Sequence, residues 1–338
     1  MSNGDPSPTS REGAPRITTD VAEAVEVLRS GGLVGLPTET VYGLAADASR
    51  LDAIARVFEA KGRPTDHPLI VHVAGPAELD RWARDVPEWA WELVDRWWPG
   101  PLTLLVWRSG EVHDRITGGR DTVAVRCPAH PLAHQVLSEL GSGVVAPSAN
   151  RFGRVSPTTA QDVVDELGDS VDLVLDGGPC RVGVESTIVD LTGDQPVVVR
   201  RGGITPEEIA EVLGVEVAVA GDGATVVAPG MLASHYAPDA RVVVLHHDVD
   251  DATVVAEVAE HLVDDRGVGV LAPRAVEGLP FGAAELDPAG DAPDYARVLY
   301  SRLREADARG LGVLVVVPPP PEGIGAAVRD RLQRAAHR

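Results

Sequence analysis

The chain has 338 residues, of which 44% are hydrophobic and 24% charged, as in a folded globular protein with room for two domains. Its formal net charge of -21 argues against nonspecific attachment to nucleic acid or to an anionic membrane, but it leaves room for a small basic pocket. No apolar run approaches the length of a membrane span. Residues 1–16 lack the apolar core of a signal peptide and are expected to be a disordered lead. Cys127 and Cys180 do not form a metal-type pair, so we expect a cytoplasmic protein without disulfides.

Residues 17–212 are predicted to form one domain. Apolar residues at helical spacing predict helices within 20–29 and 51–58. Short apolar runs predict strands at 33–36, 69–73, 102–107, 123–126, 144–146, 173–175, 188–191 and 197–199. Many strands with few helices between them favour an α+β twisted sheet over strict alternation of strands and helices.

The character of the sequence changes near residue 213. Residues 215–227 are small, apolar and glycine-rich without a clear period, so 213–239 are predicted to be a linker that carries specific residues. Beyond it, predicted strands alternate with predicted helices, which indicates a small, doubly wound, Rossmann-like α/β domain over 240–338. The strands are expected at 241–245, 268–271 and 314–317, and the helices at 254–262, 295–307 and 326–336.

Lys61 is the only lysine in a chain that otherwise uses arginine. It is predicted to follow the second helix, on a loop with the sequence Lys61-Gly62-Arg63-Pro64. Lysine is a compact point charge on a flexible stem, whereas arginine is a planar fork, so Lys61 is a candidate for a tight anionic site. The alternative is that a single lysine survived drift in composition.

Polar residues break the apolar pattern near the ends of several predicted strands. His72 and Arg126 each alternate with apolar neighbours, which would equally fit half-exposed strands. The pattern recurs, however, at Ser148, Ser186 and Arg200. Ligands of open α/β sheets gather at strand ends, and this set of side chains suits a polyanion such as a nucleoside triphosphate.

Other familiar signatures are missing or weak in the sequence. No P-loop precedes Lys61, no Gly-x-Gly-x-x-Gly follows the first strand, and Ser148 is not in a nucleophile elbow. His130 and His134 have helical spacing but no third metal ligand, so we interpret them as helix-face residues. Trp97-Trp98 is interpreted as a hydrophobic anchor rather than a base-stacking platform.

An ordered set of motifs, running from about Ile17 to the C-terminus, resembles the YrdC/Sua5 family. The linker and the second domain resemble its two-domain Sua5 branch. The motifs are Pro37-Thr38-Glu39-Thr40-Val41-Tyr42-Gly43-Leu44, Lys61-Gly62-Arg63-Pro64, Trp98-Pro99-Gly100-Pro101-Leu102-Thr103, Pro147-Ser148-Ala149-Asn150, Ser156-Pro157-Thr158, Glu185-Ser186-Thr187-Ile188-Val189-Asp190, Arg200-Arg201-Gly202, Pro229-Gly230-Met231 and His235-Tyr236-Ala237-Pro238.

The resemblance implies a nucleotidyltransferase, an L-threonylcarbamoyladenylate synthase. Such an enzyme converts L-threonine, bicarbonate or CO2, and ATP into threonylcarbamoyl-AMP and pyrophosphate. The product would pass to the tRNA threonylcarbamoyl transferase machinery, as the first step of N6-threonylcarbamoyladenosine biosynthesis in tRNA processing. Mg2+ is expected to accompany ATP, since the sequence offers no dedicated carboxylate site for it. Neither a membrane partner nor strong direct binding of tRNA is expected.

The resemblance also implies roles for particular residues. The catalytic set would be Lys61, Arg63, Ser148 and Asn150. The threonine-binding set would be Thr40, His72, Arg126, Ala146 and Ser186. The ATP-binding set would be Arg63, His67, Thr122, Ser148, Ser156, Arg200 and Tyr236. Tyr236 would reach the pocket from the linker, which would then act as a lid. His67 departs from the family, in which many members have asparagine, although an imidazole can still donate to a phosphate.

Two other functions compete with this one. A carbamoyl-transfer enzyme of hydrogenase maturation shares the core, but it carries acylphosphatase and zinc-finger segments for which this chain has neither the cysteines nor the length. An RNA-binding module is disfavoured by the net charge of -21. Such a module would also have no need of His72 and Ser186 beside the catalytic set.

Overall fold

The computed structural model describes residues 15–221, 236–262 and 267–337. It contains two β-sheets with helices packed against them. We call residues 15–221 the large-sheet domain and residues 236–262 and 267–337 the small-sheet domain. No helix in these ranges is both long enough and apolar enough to cross a bilayer.

The strands of the large-sheet domain are β1 (Arg16–Thr18), β2 (Val34–Leu36), β3 (Gly43–Asp47), β4 (Ile70–His72), β5 (Leu102–Trp107), β6 (Thr122–Arg126), β7 (Val144–Val145), β8 (Leu173–Leu175), β9 (Thr187–Asp190), β10 (Val197–Arg200) and β11 (Ala218–Val219). Its α-helices are α1 (Val21–Arg29), α2 (Leu51–Lys61), α3 (Leu79–Trp82), α4 (Glu88–Trp97), α5 (Asp114–Thr117), α6 (Pro131–Leu140), α7 (Ala160–Leu167) and α8 (Pro206–Leu213).

The large sheet is mixed, with the strand order β1-β8-β2-β3-β7-β4-β6-β5-β9-β10-β11. Its strands alternate between two apolar cores, as a pleated strand requires. In β3, Leu44 and Ala46 pack into one core with α2, while Ala45 packs into the other with α1 and α6. Helices therefore cover both faces of this part of the sheet.

The small sheet is entirely parallel, with the order β12-β15-β13-β14. Its strands are β12 (Arg241–Val244), β13 (Val268–Leu271), β14 (Ala283–Glu285) and β15 (Val313–Val316), and its helices are α9 (Asp251–His261), α10 (Ala292–Ala308) and α11 (Gly325–Ala336). One face packs against α9, and the opposite face packs against α10 and α11. Helices on both faces of a parallel sheet give the predicted doubly wound α/β arrangement.

The two domains share one apolar cluster. Val155 and Val184 of the large-sheet domain pack in the same core as Leu299 and Leu332, which lie on α10 and α11. Gly183 makes the approach especially close, because a Cβ atom placed there would lie 2.2 Å from the main-chain oxygen of Ala296. This contact holds the segment before β9 against α10.

The mixed α/β class and most strand positions agree with the sequence predictions, but several details do not. Strands β1, β3, β11 and β14 and helices α3, α4, α5, α7 and α8 were not assigned from the sequence, and α6 was indicated only by the helical spacing of His130 and His134. The predicted lead and linker contain ordered strand residues, namely Arg16 of β1 and Ala218–Val219 of β11. Lys61 is the last residue of α2 rather than a loop residue, because the helix continues until Gly62 adopts a left-handed φ of 59°. Residues 222–235 of the predicted linker, including His235, lie outside the described residues.

Candidate active site

Two polar side chains lie side by side in the middle of the large sheet. His72 and Arg126 are register partners on the parallel strands β4 and β6. His72 shares its face with Ile70, whereas Val71 points into the main core on the opposite face. His72 is only 2% exposed and Arg126 only 4% exposed. The half-exposed alternative for these residues is therefore wrong, and both are buried polar groups of a site.

A cavity opens in front of this pair. It is bounded by the loop after β2, strand β4, the end of β6, the loop after β7, the segment before β9 and the end of β10. The lining residues are Thr38, Thr40, Val41, Gly43, Arg63, Ile70, His72, Arg126, Ala146, Pro147, Ser148, Glu185, Arg200 and Tyr236. Three guanidinium groups in one cavity make it basic despite the net charge of -21, as the sequence allowed.

The predicted site residues divide into those that line the cavity and those that support or flank it. Lining residues are Thr40, Arg63, His72, Arg126, Ala146, Ser148, Arg200 and Tyr236. The other predicted residues are not among the described lining: Lys61, His67, Thr122, Asn150, Ser156 and Ser186.

Lys61 organises the loop after β7. Its buried ammonium donates to the main-chain oxygens of Ser148 and Asn150, both at 2.5 Å. Burial, and secondarily the nearby Arg63, hold the pKa of Lys61 well below its usual value. The two carbonyl groups explain why a slender ammonium suits this position.

Arg63 and Asn150 each present a polar atom without a protein partner in the described structure. Arg63 Nη2 donates to the main-chain oxygen of Pro68 at 2.9 Å, while its buried Nε has no hydrogen bond. Asn150 Nδ2 donates to the main-chain oxygens of Arg151 and Arg154, leaving buried Oδ1 without a donor. Buried polar atoms are rarely left unpaired, so these two are candidates for ligand contact.

The Arg126 guanidinium is held by a carboxylate that sequence reasoning left without a role. Arg126 Nη2 donates to Glu39 Oε1 at 2.7 Å, and Glu39 Oε2 accepts from the Ala129 amide at 3.0 Å. His72 lies beside it with Nδ1 3.3 Å from the Ile70 oxygen. Burial, followed by the charge of Arg126, lowers the pKa of His72 to about 3, so its imidazole is neutral near pH 7.

Ser186 and Arg200 connect the residues predicted for threonine with those predicted for ATP. Arg200 Nη2 donates to Ser186 Oγ at 2.9 Å, and its Nε donates to the Ser186 main-chain oxygen at 3.0 Å. The Ser186 hydroxyl also lies 2.7 Å from the hydroxyl of Thr103. Burial, above all, lowers the pKa of Arg200 to about 10, so it still carries its charge at neutral pH.

His67 and Thr122 lie toward the margins of the site. His67 makes an edge-to-face contact with Phe152, over whose ring Arg63 also lies, with centroid distances of 5.3 and 5.8 Å. Thr122 begins β6 and Arg126 ends it, so the backbone separates them by roughly 13 Å. The structure therefore does not bring Thr122 to the cavity as it does Arg126.

Sequence reasoning missed the acidic and distant members of the site. Glu39 and Glu185 stand inside the recognised motifs, and a buried arginine cluster could have indicated that it needs counter-charges. Arg331, which reaches Glu185 from α11, gave no usable signal, since it lies among the polar residues of an ordinary helix.

The histidines outside the cavity have structural or surface positions. His130 caps α6 by accepting from the Leu132 amide at 3.3 Å, which fixes it at the helix end rather than in a pair with His134. His246, His247 and Asp248 place their ligand atoms within 4.8 Å of one another after β12, the one such grouping in the described ranges. Exposed groups of this kind also form without a metal, and we assign none to it.

Two family models match the chain. The model described as Telomere recombination covers residues 26–202, and the model described as Threonylcarbamoyl-AMP synthase, C-terminal domain covers residues 204–337. Together they cover both domains.

Individual proteins agree over nearly the whole length. Threonylcarbamoyl-AMP synthase of Pyrococcus abyssi is 42% identical, with 93% of each chain covered. The Bacillus subtilis protein of the same name is 38% identical, over 94% of this chain and 92% of its own. The crystal structure of P. abyssi Sua5 complexed with L-threonine superposes with a TM-score of 0.87 at 40% identity, covering 94% of both chains. The chain therefore belongs to the YrdC/Sua5 family, in its two-domain Sua5 branch.

Proposed function

We propose that this chain is a threonylcarbamoyl-AMP synthase, which makes threonylcarbamoyl-AMP and pyrophosphate from L-threonine, bicarbonate or CO2, and ATP. The observation that carries the proposal is the convergence of Arg63, Arg126 and Arg200 with the neutral imidazole of His72 in one cavity. This happens in a chain that matches synthases of that name across both domains. Neither the carbamoyl-transfer alternative nor the RNA-binding alternative receives comparable support.

Threonine is placed at the sheet end of the cavity. Arg126, oriented by Glu39, would hold the amino acid carboxylate as a charge-assisted fork. Thr40, His72 and Ser186 would contact the polar groups of threonine, and Ala146 would leave space for its methyl group. A neutral His72 can accept or donate a hydrogen bond there without adding another positive charge.

The phosphates of ATP are proposed to lie toward Arg63, Arg200 and Ser148. Asn150 Oδ1 is an acceptor, so it would face a cation or a donor group of the substrates rather than a phosphate oxygen. Lys61 would act mainly by fixing the loop that carries Ser148 and Asn150. His67, Thr122, Ser156 and Tyr236 complete the proposed nucleotide set. Of these four, Tyr236 is the one that lines the described cavity.

The chemistry requires stabilised negative charge rather than a covalent nucleophile. The threonine amine forms a C–N bond to CO2 and gives up a proton, which yields a carbamate. A carbamate oxygen then attacks the α-phosphorus of ATP, and the bond from phosphorus to the departing pyrophosphate breaks. Fixed guanidinium groups lower the energy of both steps, because they are oriented before charge develops.

Mg2+ is proposed to enter as part of the ATP complex. The carboxylate that lines the described cavity, Glu185, is already occupied by hydrogen bonds from Ser156, Tyr300 and Arg331. The oxygen donors that remain near the proposed phosphate site are Ser148 Oγ and Asn150 Oδ1, which fit a metal that keeps most of its ligands from water and phosphate.

The product is proposed to pass to the tRNA threonylcarbamoyl transferase machinery, in the cytoplasm. Threonylcarbamoyl-AMP is a mixed anhydride that carries an activated acyl group, so the reaction that consumes it must be an acyl transfer. Strong direct binding of tRNA by this acidic chain is not expected.

Pyrophosphate release tests the proposal. Release from ATP should require both threonine and bicarbonate, and threonylcarbamoyl-AMP should be detected by its mass. Arg63→Gln should abolish most of the release, whereas Arg84→Gln, on the exposed Arg84–Asp85 pair, should not. Release without threonine would indicate another acceptor, and no release from folded protein would contradict the proposal.

A further inference from the structure

Glu185 is a carboxylate of the cavity wall whose partners come largely from the small-sheet domain. Its Oε2 accepts from the Tyr300 hydroxyl at 2.8 Å and from Arg331 Nε at 2.9 Å. Its Oε1 accepts from Ser156 Oγ at 2.7 Å, within the large-sheet domain. Both carboxylate oxygens are therefore satisfied, and the second domain supplies the only counter-charge directly bonded to Glu185 in the described structure.

Arg331 reaches both segments that carry the Ser186–Arg200 contact. Its Nε binds Glu185, the residue before Ser186, and its Nη2 donates to the main-chain oxygen of Arg201, the residue after Arg200, at 2.9 Å. One guanidinium thus joins the beginning of β9 to the end of β10. The two strands meet at the position where Arg200 binds Ser186.

Arg331 also contacts Tyr236, the aromatic residue of the cavity wall. Its guanidinium carbon lies 5.2 Å from the centre of the Tyr236 ring, which stacks on Tyr300 with a centroid distance of 5.6 Å. Tyr236 has a positive φ of 64°, which is uncommon for a residue with a side chain and needs surrounding structure to hold it. Arg331 and Tyr300 supply part of that structure.

Glu185 and Arg331 form a buried ion pair. The Arg331 side chain is fully buried and that of Glu185 is 8% exposed, so the Glu185 carboxylate would be costly to bury without Arg331. Arg331 has a second carboxylate partner, because its Nη1 also donates to Asp330 Oδ2 at 2.5 Å. Burial acts to raise the pKa of Glu185, but the charges of Arg331 and Arg200 and the Ser156 hydrogen bond together lower it to about 2. The carboxylate therefore stays ionised, and the planar fork of Arg331 matches acceptors that a lysine could not reach together.

We propose that Arg331 of the small-sheet domain is a positioning residue for the adenylation site, acting through Glu185 and Tyr236 on the nucleotide-binding wall. The proposal rests on the proposed function. It gives the second domain a defined task, because the domain fixes Arg200 and Tyr236, which are proposed to bind ATP, through the segment that also carries Ser186. Tyr300 assists by donating to the same carboxylate.

Steady-state pyrophosphate release by the full-length protein tests this role. Arg331→Lys should raise KM for ATP by about tenfold or more, because Arg200 and Tyr236, the proposed ATP contacts beside Arg331, would lose the group that holds them in place. A purely structural role would lower the unfolding temperature and the active fraction, hence the apparent kcat, and would leave KM unchanged. Arg329→Lys is the matched control, because Arg329 lies on the same helix and its side-chain hydrogen bond within the described ranges is a long one, 3.5 Å to the Pro319 oxygen.

A double-mutant cycle identifies the route of the effect. If Arg331 acts through Glu185, the combined Glu185→Gln and Arg331→Lys variant should be about as impaired as Glu185→Gln alone. Fully additive losses in kcat/KM, or an unchanged KM for ATP in Arg331→Lys, would overturn the proposal. If Arg331→Lys does not fold, Tyr300→Phe is the alternative variant, because it removes only the hydroxyl that donates to Glu185. A raised KM for ATP in Tyr300→Phe would support the positioning role, and an unchanged KM would contradict it. A wild-type protein that releases no pyrophosphate would instead show that the proposed function is wrong.

Discussion

The ammonium of Lys61 is bound to the main-chain oxygen of Asn150, and the same group binds the oxygen of Ser148. The single lysine of the chain thus closes the loop that presents Ser148 to the cavity. Its nitrogen is a structural donor within the protein, and the loop that it shapes is the one we propose to contact the phosphates of ATP.

Lys61→Arg should lower turnover by on the order of 100-fold, because a larger planar group cannot fit between two converging carbonyl oxygens and the loop must move. Lys61→Met should be similarly impaired, since it leaves both buried oxygens without a donor. Pyrophosphate release with threonine and bicarbonate measures the effect. Arg56→Lys is the control on the same helix, because Arg56 forms a partly exposed pair with Asp172. Near-normal turnover of Lys61→Arg would contradict this account of the loop.

Glu39→Gln should weaken the binding of threonine more than the binding of ATP. The change removes the counter-charge of Arg126 and leaves a buried guanidinium, which costs about 3 kcal/mol or more of folding free energy when a buried pair is broken. We expect KM for threonine to rise while KM for ATP changes little. Glu111→Gln, at a glutamate whose side chain is 78% exposed, should change neither. A larger effect on ATP than on threonine would show that Arg126 serves the phosphates.

His72 should make the free energy of unfolding depend on pH. Its pKa is about 3 in the folded protein and near 6.5 when unfolded, so the unfolded chain binds the proton first as the pH falls. The contribution of His72 is complete above about pH 6.5 and is lost toward lower pH, by at most about 1.4 kcal/mol per pH unit.

Urea unfolding at about pH 7 and about pH 5 measures that dependence. His72→Gln should show a smaller loss of stability between the two values than the wild type. Carboxylates that titrate in this pH range contribute equally in both proteins, so their effect cancels when the two losses of unfolding free energy are subtracted. Equal losses would show that His72 gains its proton in the folded state as readily as in the unfolded chain.

Gly183→Ala should loosen the contact between the domains. Its Cβ would overlap the Ala296 oxygen at 2.2 Å, and φ is 82°. Gly178 has a similar φ of 75°, but a Cβ atom added there would meet no other atom within 4 Å, so Gly178→Ala should cost only the backbone strain of about 1–2 kcal/mol. Chemical unfolding should show a clearly larger loss for Gly183→Ala. Equal losses of unfolding free energy in the two variants would mean that α10 can move away from residue 183 without an energetic cost.

The fold could be predicted where periodicity and burial agree. Long apolar runs such as β5 and capped, amphipathic helices such as α1 were recognised from local pattern alone. Strand β1 was missed because its exposed, three-residue sequence is a strand only through pairing with β8, 157 residues away in sequence. Strand β3 was missed because Gly43–Asp47 is rich in small residues whose strand character comes from the sheet around it.

The site residues that could be predicted are those that lie within the recognised sequence motifs. Thr40, Arg63, His72, Arg126, Ser148 and Arg200 were named and line one cavity. Which atoms face the ligand could not be read from the sequence, since Lys61 turned out to bind carbonyl oxygens of its own chain. The contact between Glu185 and Arg331 joins residues 146 positions apart and depends on how two domains dock.

The position of α11 in the chain has a consequence for synthesis. Every described residue that lines the cavity precedes residue 237, yet the guanidinium that neutralises Glu185 belongs to the last described helix. During translation the cavity wall can be assembled well before Arg331 emerges. A chain without α11 would keep the described lining residues but leave the Glu185 carboxylate in the cavity wall without its bonded cation, so the loss of a distant helix would change the electrostatics of the cavity.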